Sequence, residues 1–276
     1  MRVTTIARNA QHSPNLADSD TAILQAVENE LRKRGAYVEH TEEEQALPDR
    51  ADCICHMSRT GEVLEKIRKA EEKGTRALNT AGAVKNTERE RFTALLAEAG
   101  IVQPPFTIAT SDVLPDNLEY PLWIKKGEGW SCCKNDICYA KDAGQAEKAR
   151  AEMQGRGIRS IIYSKHINGD IIKFYGVGEE FFHFLYPDPE KSKFGLEKIN
   201  GTQHRYPFDK EKLREIALRA TEATGLVIFG GDCIVTEKGE ILIIDINDFP
   251  SFSVVREEAA KAIATLIMGT DKKQEE

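Results

Sequence analysis

The chain is 276 residues long, 41% hydrophobic and 30% charged, with a net charge of −7. That length can bury a large core divided into two or three lobes, and no apolar run approaches the roughly 20 residues a membrane span needs. The acidic balance argues against bulk nucleic-acid binding, and Met1-Arg2-Val3-Thr4-Thr5-Ile6 reads as a strand opening and not as a signal peptide.

Residues 1–104 alternate strands and helices. Val3–Ala7 reads as a strand and Arg8–Ala17 as a polar loop. Ser19-Asp20 is expected to cap a helix running to about Arg34, with Ile23, Leu24, Val27 and Leu31 on one stripe and Gly35 as the stop. Tyr37–Glu39 and Cys53–Met57 read as strands. Gly61–Lys73 reads as a helix ended by Gly74, and Thr75–Asn79 as a strand. This order predicts a parallel sheet whose ligands sit beyond the C-terminal strand ends, at loops 8–15 and 57–59. Arg59 there either holds an anionic substrate group or is a solvated surface arginine. A helix over Arg89–Ala99 follows, broken at Gly100 and Pro104-Pro105.

Pro121–Lys126 reads as a strand ending in two lysines, followed by Gly127-Glu128-Gly129-Trp130-Ser131. A lysine beside a glycine-bearing loop suits a phosphate-covering flap; the alternative is a charged edge strand. Asp142–Met153 reads as a helix. Ser160–Tyr163 and Asp170–Val177 read as strands joined by a hairpin turn at Asn168-Gly169. Phe181–Leu185 is a further strand. The polar segment 186–208 carries Lys191, Lys193, Lys198, Asn200, His204 and Arg205, as either a substrate-facing loop or a surface excursion. Asp209 starts a helix to Thr224, closed by Gly225. A last helix covers Val254–Met268, its N-terminal amides forming an anion site beside Ser251. The charged tail Asp271–Glu276 is expected to fray.

Leu226–Val235 and Ile241–Ile246 read as two strands joined at Glu237-Lys238-Gly239-Glu240. Four apolar residues from Ile241 to Ile244 imply burial on both faces, yet the strand runs out into Asp245, Asn247 and Asp248. A two-residue turn at Lys238-Gly239 would set Asp232 opposite Asp245, with Asn247 on the same face. Opposed carboxylates repel, and a hard divalent cation removes that cost. A bulged turn would slip the register by one residue. On spacing alone, a metal site and a solvated hairpin end stand level.

The run Gly225-Leu-Val-Ile-Phe-Gly-Gly-Asp232, the turn, and Ile244-Asp-Ile-Asn-Asp-Phe-Pro250 resemble the C-terminal signature of the ATP-grasp superfamily. The passage Ala99-Gly-Ile-Val-Gln-Pro-Pro105 resembles the entry to its nucleotide-binding core. The likeness covers residues 79–268 and implies an α/β and α+β architecture, an ATP-grasp fold preceded by a small parallel-sheet α/β lobe. The lobes expected are 1–104, 105–163 and 164–276. The resemblance implies ATP and Mg²⁺ as cofactors. Asp232, Asp245 and Asn247 would be the metal ligands. Lys125 would reach the ATP phosphates and the backbone of Ser164, Lys165, His166 and Ile167 would read adenine at an inter-lobe hinge. Lys173 would face phosphates or substrate, where its alternative is an exposed strand lysine. Arg89 falls near a nucleotide-facing position. Arg59, Asn200, His204, Arg205 and Ser251 are the substrate-side candidates. Trp130, Cys132 and Cys133 depart from the small residues common in the family's flap, and Ser164-Lys165 departs from its usual Gln-Glu.

Most such proteins are carboxylate–amine or carboxylate–thiol ligases working through an acylphosphate, and the whole-chain likeness is nearest the ribosomal-protein-modifying and glutathione-synthetase-like branch. Asp-Ile-Asn-Asp-Phe-Pro250 also resembles the inositol-phosphate-kinase branch, which leaves a small-molecule kinase as the alternative. The expected partners are a small-molecule or peptide substrate and, as an option, a second copy of the chain, with neither nucleic acid nor membrane. Cys53, Cys55, Cys132, Cys133, Cys138 and Cys233 lack Cys-x-x-Cys spacing and are expected as reduced thiols in a cytoplasm.

Overall fold

A computed structural model describes residues 1–13, 16–43, 50–188 and 196–269. The tail and Lys191 and Lys193 lie outside the described residues. Among the described residues, three four-stranded sheets organise the fold.

The first sheet is fully parallel, in the order β2 (Tyr37–Thr41), β1 (Arg2–Ile6), β3 (Cys53–His56), β4 (Arg76–Leu78). Helix α1 (Ala17–Lys33) covers one face through Ile23, Leu24, Val27 and Leu31. Each is buried, at about 1.5–3 kcal/mol per side chain. Ser19 and Asp20 do not cap it: the helix begins two residues earlier, and the Asp20 carboxylate accepts from Ser13 Oγ and Arg8 Nη1 instead. Helix α2 (Gly61–Glu71) covers the other face through Val63, Leu64 and Ile67. The short helix α3 (Ala81–Lys85) and α4 (Arg89–Glu98) follow.

The second sheet is antiparallel, in the order β5 (Phe106–Thr110), β8 (Ser160–Lys165), β6 (Leu122–Lys126), β7 (Ile137–Ala140). Its outer face is closed by α5 (Ala143–Gly155), capped by the Asp142 side chain and packed through Ala146, Ala149 and Met153. The third sheet is antiparallel, in the order β10 (Phe181–Leu185), β9 (Asp170–Val177), β11 (Ile228–Val235), β12 (Ile241–Asp248). Helix α6 (Lys210–Thr224) packs on it with α4, burying Phe92, Leu213, Ala217, Phe174, Phe229 and Ile243 in one core. The last helix, α7 (Arg256–Met268), returns to α1, so Ala260, Ile263 and Ile267 complete the core of the first lobe.

Two expectations are corrected. β8 and β9 do not form a hairpin: β8 pairs with β5 and β6, and β9 with β10 and β11. Residues 166–169 therefore cross from one sheet to another, because β8 has already committed both edges to its own sheet. The turn after β11 is also longer than two residues. Thr236 N–H donates to Glu240 O at 3.0 Å, and Gly239 takes φ +76° to close the three residues between. That extra residue sets Cys233 opposite Ile243. A bulge at Ile244 then takes up the slip and restores Asp232 opposite Asp245. The bulge also exchanges faces. Ile243 points into the core, while Asp245 and Asn247, which would follow it there in a regular strand, line the opposite side.

Candidate active site

A cleft of about 300 Å³ opens between the second and third sheets and is closed at one end by the first lobe. β6 supplies Trp123 and Lys125, two residues apart on one face. β9 supplies Ile171, Lys173 and Tyr175, β11 supplies Gly230 and Asp232, and β12 supplies Asp245 and Asn247. Register places Lys173, Asp232 and Asp245 in one row across three strands, and Tyr175, Gly230 and Asn247 in the next.

The opposed carboxylates are met by cations. Lys173 Nζ lies 3.0 Å from Asp232 Oδ1, and Arg89 Nη1 lies 3.5 Å from Asp245 Oδ1. Asn247 Nδ2 donates to Asp245 Oδ2 at 3.3 Å. Lys125 faces them from the other wall. Burial and the charge of Arg89 push its ammonium pKa down to about 8, against the opposing pull of Asp245 and Asp232. Among the described residues no group of three or more His, Cys, Asp or Glu forms a metal cluster. The Asp232, Asp245 and Asn247 oxygens nevertheless fit magnesium, which binds proteins through one or two carboxylates and takes its remaining ligands from phosphates and water.

At the far end, Asp248 is buried, with 1% of its side chain exposed. Arg59 Nε donates to its Oδ1 at 2.8 Å and Arg8 Nη2 to its Oδ2 at 3.1 Å. Burial pushes this carboxyl up, but Arg59 and Arg8 outweigh it and hold the pKa below the usual carboxylate value. Arg8 also binds the Met57, Asp248 and Phe249 carbonyls, joining the first lobe to the end of β12. Glu43 accepts from the Asn9, Arg59 and Thr60 amides. His12 lines the same end; burial lowers its pKa.

The structure brings Lys125, Ser164, Lys165, Lys173, Arg59, Asn200, Ser251, Asp232, Asp245 and Asn247 together around the cleft. Lys165 Nζ is paired with Glu119, and Asn200 Nδ2 donates to the Ile167 and Gly169 carbonyls. His166 accepts from Trp123 Nε1 at 3.1 Å, and neither it nor Ile167 lines the cavity. His204 and Arg205 stand apart: His204 stacks on Tyr206, and Arg205 lies over the Tyr186 ring. No residue of α7 lines the cleft, and its first turn carries Glu257 and Glu258, so the anion site expected there is not part of it. Sequence reasoning gave no role to Arg8, His12, Thr87 or Asp248. For Asp248 a signal existed: it stands out of phase with Asp245 and Asn247 and so belongs to the other face of the strand.

No protein-family model matches the chain, and no curated protein matches it. Solved structures do. A RimK domain ATP-grasp protein from Sphaerobacter thermophilus superposes with a TM-score of 0.70 at 17% identity, over 98% of this chain and 100% of that one. D-alanine–D-alanine ligase from Bacillus anthracis, in complex with ATP, gives 0.69 at 13% identity over 97% and 96%. D-cycloserine synthetase gives 0.70 at 16% identity over 97% and 100%. With near-complete coverage of both partners in each case, and the sheet order and cleft described above, this protein has the ATP-grasp fold.

Proposed function

We propose that the protein is a magnesium-dependent ATP-grasp ligase that joins a carboxylate to an amine through an acylphosphate. The observation that carries this reading is the convergence, in one cleft between two sheets, of Asp232, Asp245 and Asn247 with Lys125, Arg89 and Lys173. Three cations facing two carboxylates suit a triphosphate carried with its metal. Lys125 and Arg89 offer donors to phosphate oxygens, while Asp232, Asp245 and Asn247 would hold Mg²⁺, which neutralises phosphate charge when bound. Ser164 and Lys165, with the apolar side chains of Trp123, Ile171 and Ile234, make the nucleotide end. Arg59, Asn200 and Ser251 make the substrate side. Positioning and charge neutralisation supply most of the catalysis in this reading.

The kinase alternative asks for several unpaired cations around a polyphosphate. Arg8 and Arg59 are already committed to Asp248 and Asp20, and His204 and Arg205 do not line the cleft. That favours the ligase.

The test is titration calorimetry of ATP with and without Mg²⁺, followed by phosphate release from a panel of carboxylates and amines. Magnesium-dependent binding, lost in Asp245→Ala, and phosphate release that needs both substrates are expected. Tight ATP binding that ignores magnesium, or an Asp245→Ala variant of undiminished activity, would sink the metal assignment. A phosphorylated product with no free phosphate would make it a kinase.

A further inference from the structure

We propose that Trp130 is a positioning residue: it latches the flap shut across the cleft, with Thr87 and Asp248 as its keeper. The inference rests on reading Gly127–Ser131 as the flap of the proposed nucleotide site.

The first two amides of α4 have no partner within the helix. Flap carbonyls satisfy both: Arg89 N–H donates to Gly129 O at 3.3 Å and Glu90 N–H to Gly127 O at 2.9 Å. Gly129 itself takes φ +63°, a left-handed turn immediately before Trp130. The indole packs against the cluster of Ile54, Val63, Leu64 and Val84, which belongs to the first lobe. Its Nε1 donates to Thr87 Oγ1 at 2.9 Å. The Arg59 guanidinium lies over the ring, 5.3 Å from its centre, and His12 meets it edge-on at 6.0 Å.

These contacts close into a circuit. Thr87 Oγ1 accepts from the indole and gives its own hydrogen to Val84 O at 2.7 Å; it lies 3.4 Å from Asp248 Oδ1, the same oxygen that Arg59 Nε reaches at 2.8 Å, and Arg59 returns to the Trp130 ring. The circuit runs from flap tip to loop, to the end of β12, to the first lobe and back. Asp248 directly follows Asn247, so the flap and the last residue of the candidate metal set are held by one network. The indole bond, the two helix-end bonds and the arginine stack are all made by groups of the chain itself, and in the proposed latch they open together.

Trp123 and Trp130 are the two tryptophans of the chain, so Trp123→Phe leaves Trp130 as the sole indole. In that background, acrylamide quenching of Trp130 should be several-fold weaker than in the same protein unfolded in urea. Thr87→Val, which keeps the shape and removes the indole's acceptor, should raise quenching at least threefold while leaving the thermal midpoint within a few degrees. Thr87→Val also removes the hydroxyl's bond to Val84 O, which lies in the first lobe and is the same whether the flap is open or shut; the indole bond alone corresponds to about a fivefold change in the opening equilibrium. Association of a fluorescent N-methylanthraniloyl ATP, followed by stopped flow, should therefore speed up about fivefold in Thr87→Val. Trp130→Phe, which keeps the ring against Arg59, should fall between wild type and Trp130→Ala. Quenching that is already strong before Thr87 is changed, or association rates unmoved in all three variants, overturns the latch. A complete failure of the nucleotide to bind overturns the proposed function instead, and the quenching comparison still decides the latch.

Discussion

Replacing Asp248 by alanine tests how the lobes are held together. The carboxylate is buried between two guanidinium groups whose side chains are each 6% exposed. Removing it leaves both cations out of water without their shared counter-ion. Breaking a buried ion pair from one side costs about 3–5 kcal/mol. Arg8 keeps Asp20 and three backbone carbonyls, so the loss falls mainly on Arg59 and belongs at the lower end of that range. In a chain of this size, each kcal/mol moves the thermal midpoint by about 2–4 °C. A fall of roughly 6–12 °C is expected in thermal unfolding followed by circular dichroism, with urea unfolding giving the loss in free energy. The pairing also has a pH signature. Because the folded pKa of Asp248 is lowered, its contribution is complete above the ordinary carboxylate range and fades as acid passes through the lowered value. The double variant Asp248→Ala with Arg59→Met should recover part of the loss, since no uncompensated cation is then left at that position. A loss under about 1 kcal/mol, or strict additivity of the two single variants, would refute the shared-partner account.

Three further outcomes follow from the same coordinates. Burial pushes the His56 pKa down to about 4, with Nε2 against Asn79 O at 2.7 Å. The unfolded chain therefore binds the extra proton first, and stability should fall as pH drops from about 6.5 towards 4, by at most about 3 kcal/mol. His56→Asn should flatten that part of the urea-midpoint profile, and an unchanged slope would show that the proton goes elsewhere. In Gly231→Ala the new methyl would sit 2.4 Å from Phe174 Cζ and 2.5 Å from the Asp245 carbonyl oxygen. A loss of about 1–3 kcal/mol is expected by thermal unfolding, with weaker magnesium-dependent ATP binding. For Lys125→Met, calorimetry should show at least a tenfold loss of ATP affinity; affinity in the unaltered protein should weaken as pH rises past about 8, where the ammonium loses its proton.

The sequence told most where a local pattern and a tertiary requirement coincide. The stripe of Ile23, Leu24, Val27 and Leu31 announces α1 because a helix period puts all four on the core side. The Asp209 cap and the left-handed Gly225 mark both ends of α6. The opposition of Asp232 and Asp245 was legible only through two features that cancel, the longer turn and the bulge at Ile244, and neither leaves a distinctive residue pattern. The boundary between β8 and β9 was misread because Asn168-Gly169 is as good a turn inside a crossover as inside a hairpin. Local chemistry cannot say which sheet a strand joins. Arg8, Arg59, Thr87 and Trp130 come from four distant parts of the chain, and what makes them one group is Asp248, a long-range contact that no spacing encodes.

The return of α7 to α1 sets an order on biosynthesis. The first sheet is finished at Leu78, but the helix that covers its α1 side begins at Arg256. Roughly 180 residues, or about 10–35 s at ordinary elongation rates, separate the two. For that interval Ile23, Val27 and Leu31 lack the apolar surface of Ala260, Ile263 and Ile267. The nascent first lobe thus carries an uncovered apolar flank through most of synthesis, and a chain released before Arg256 would expose the surface that α7 seals last.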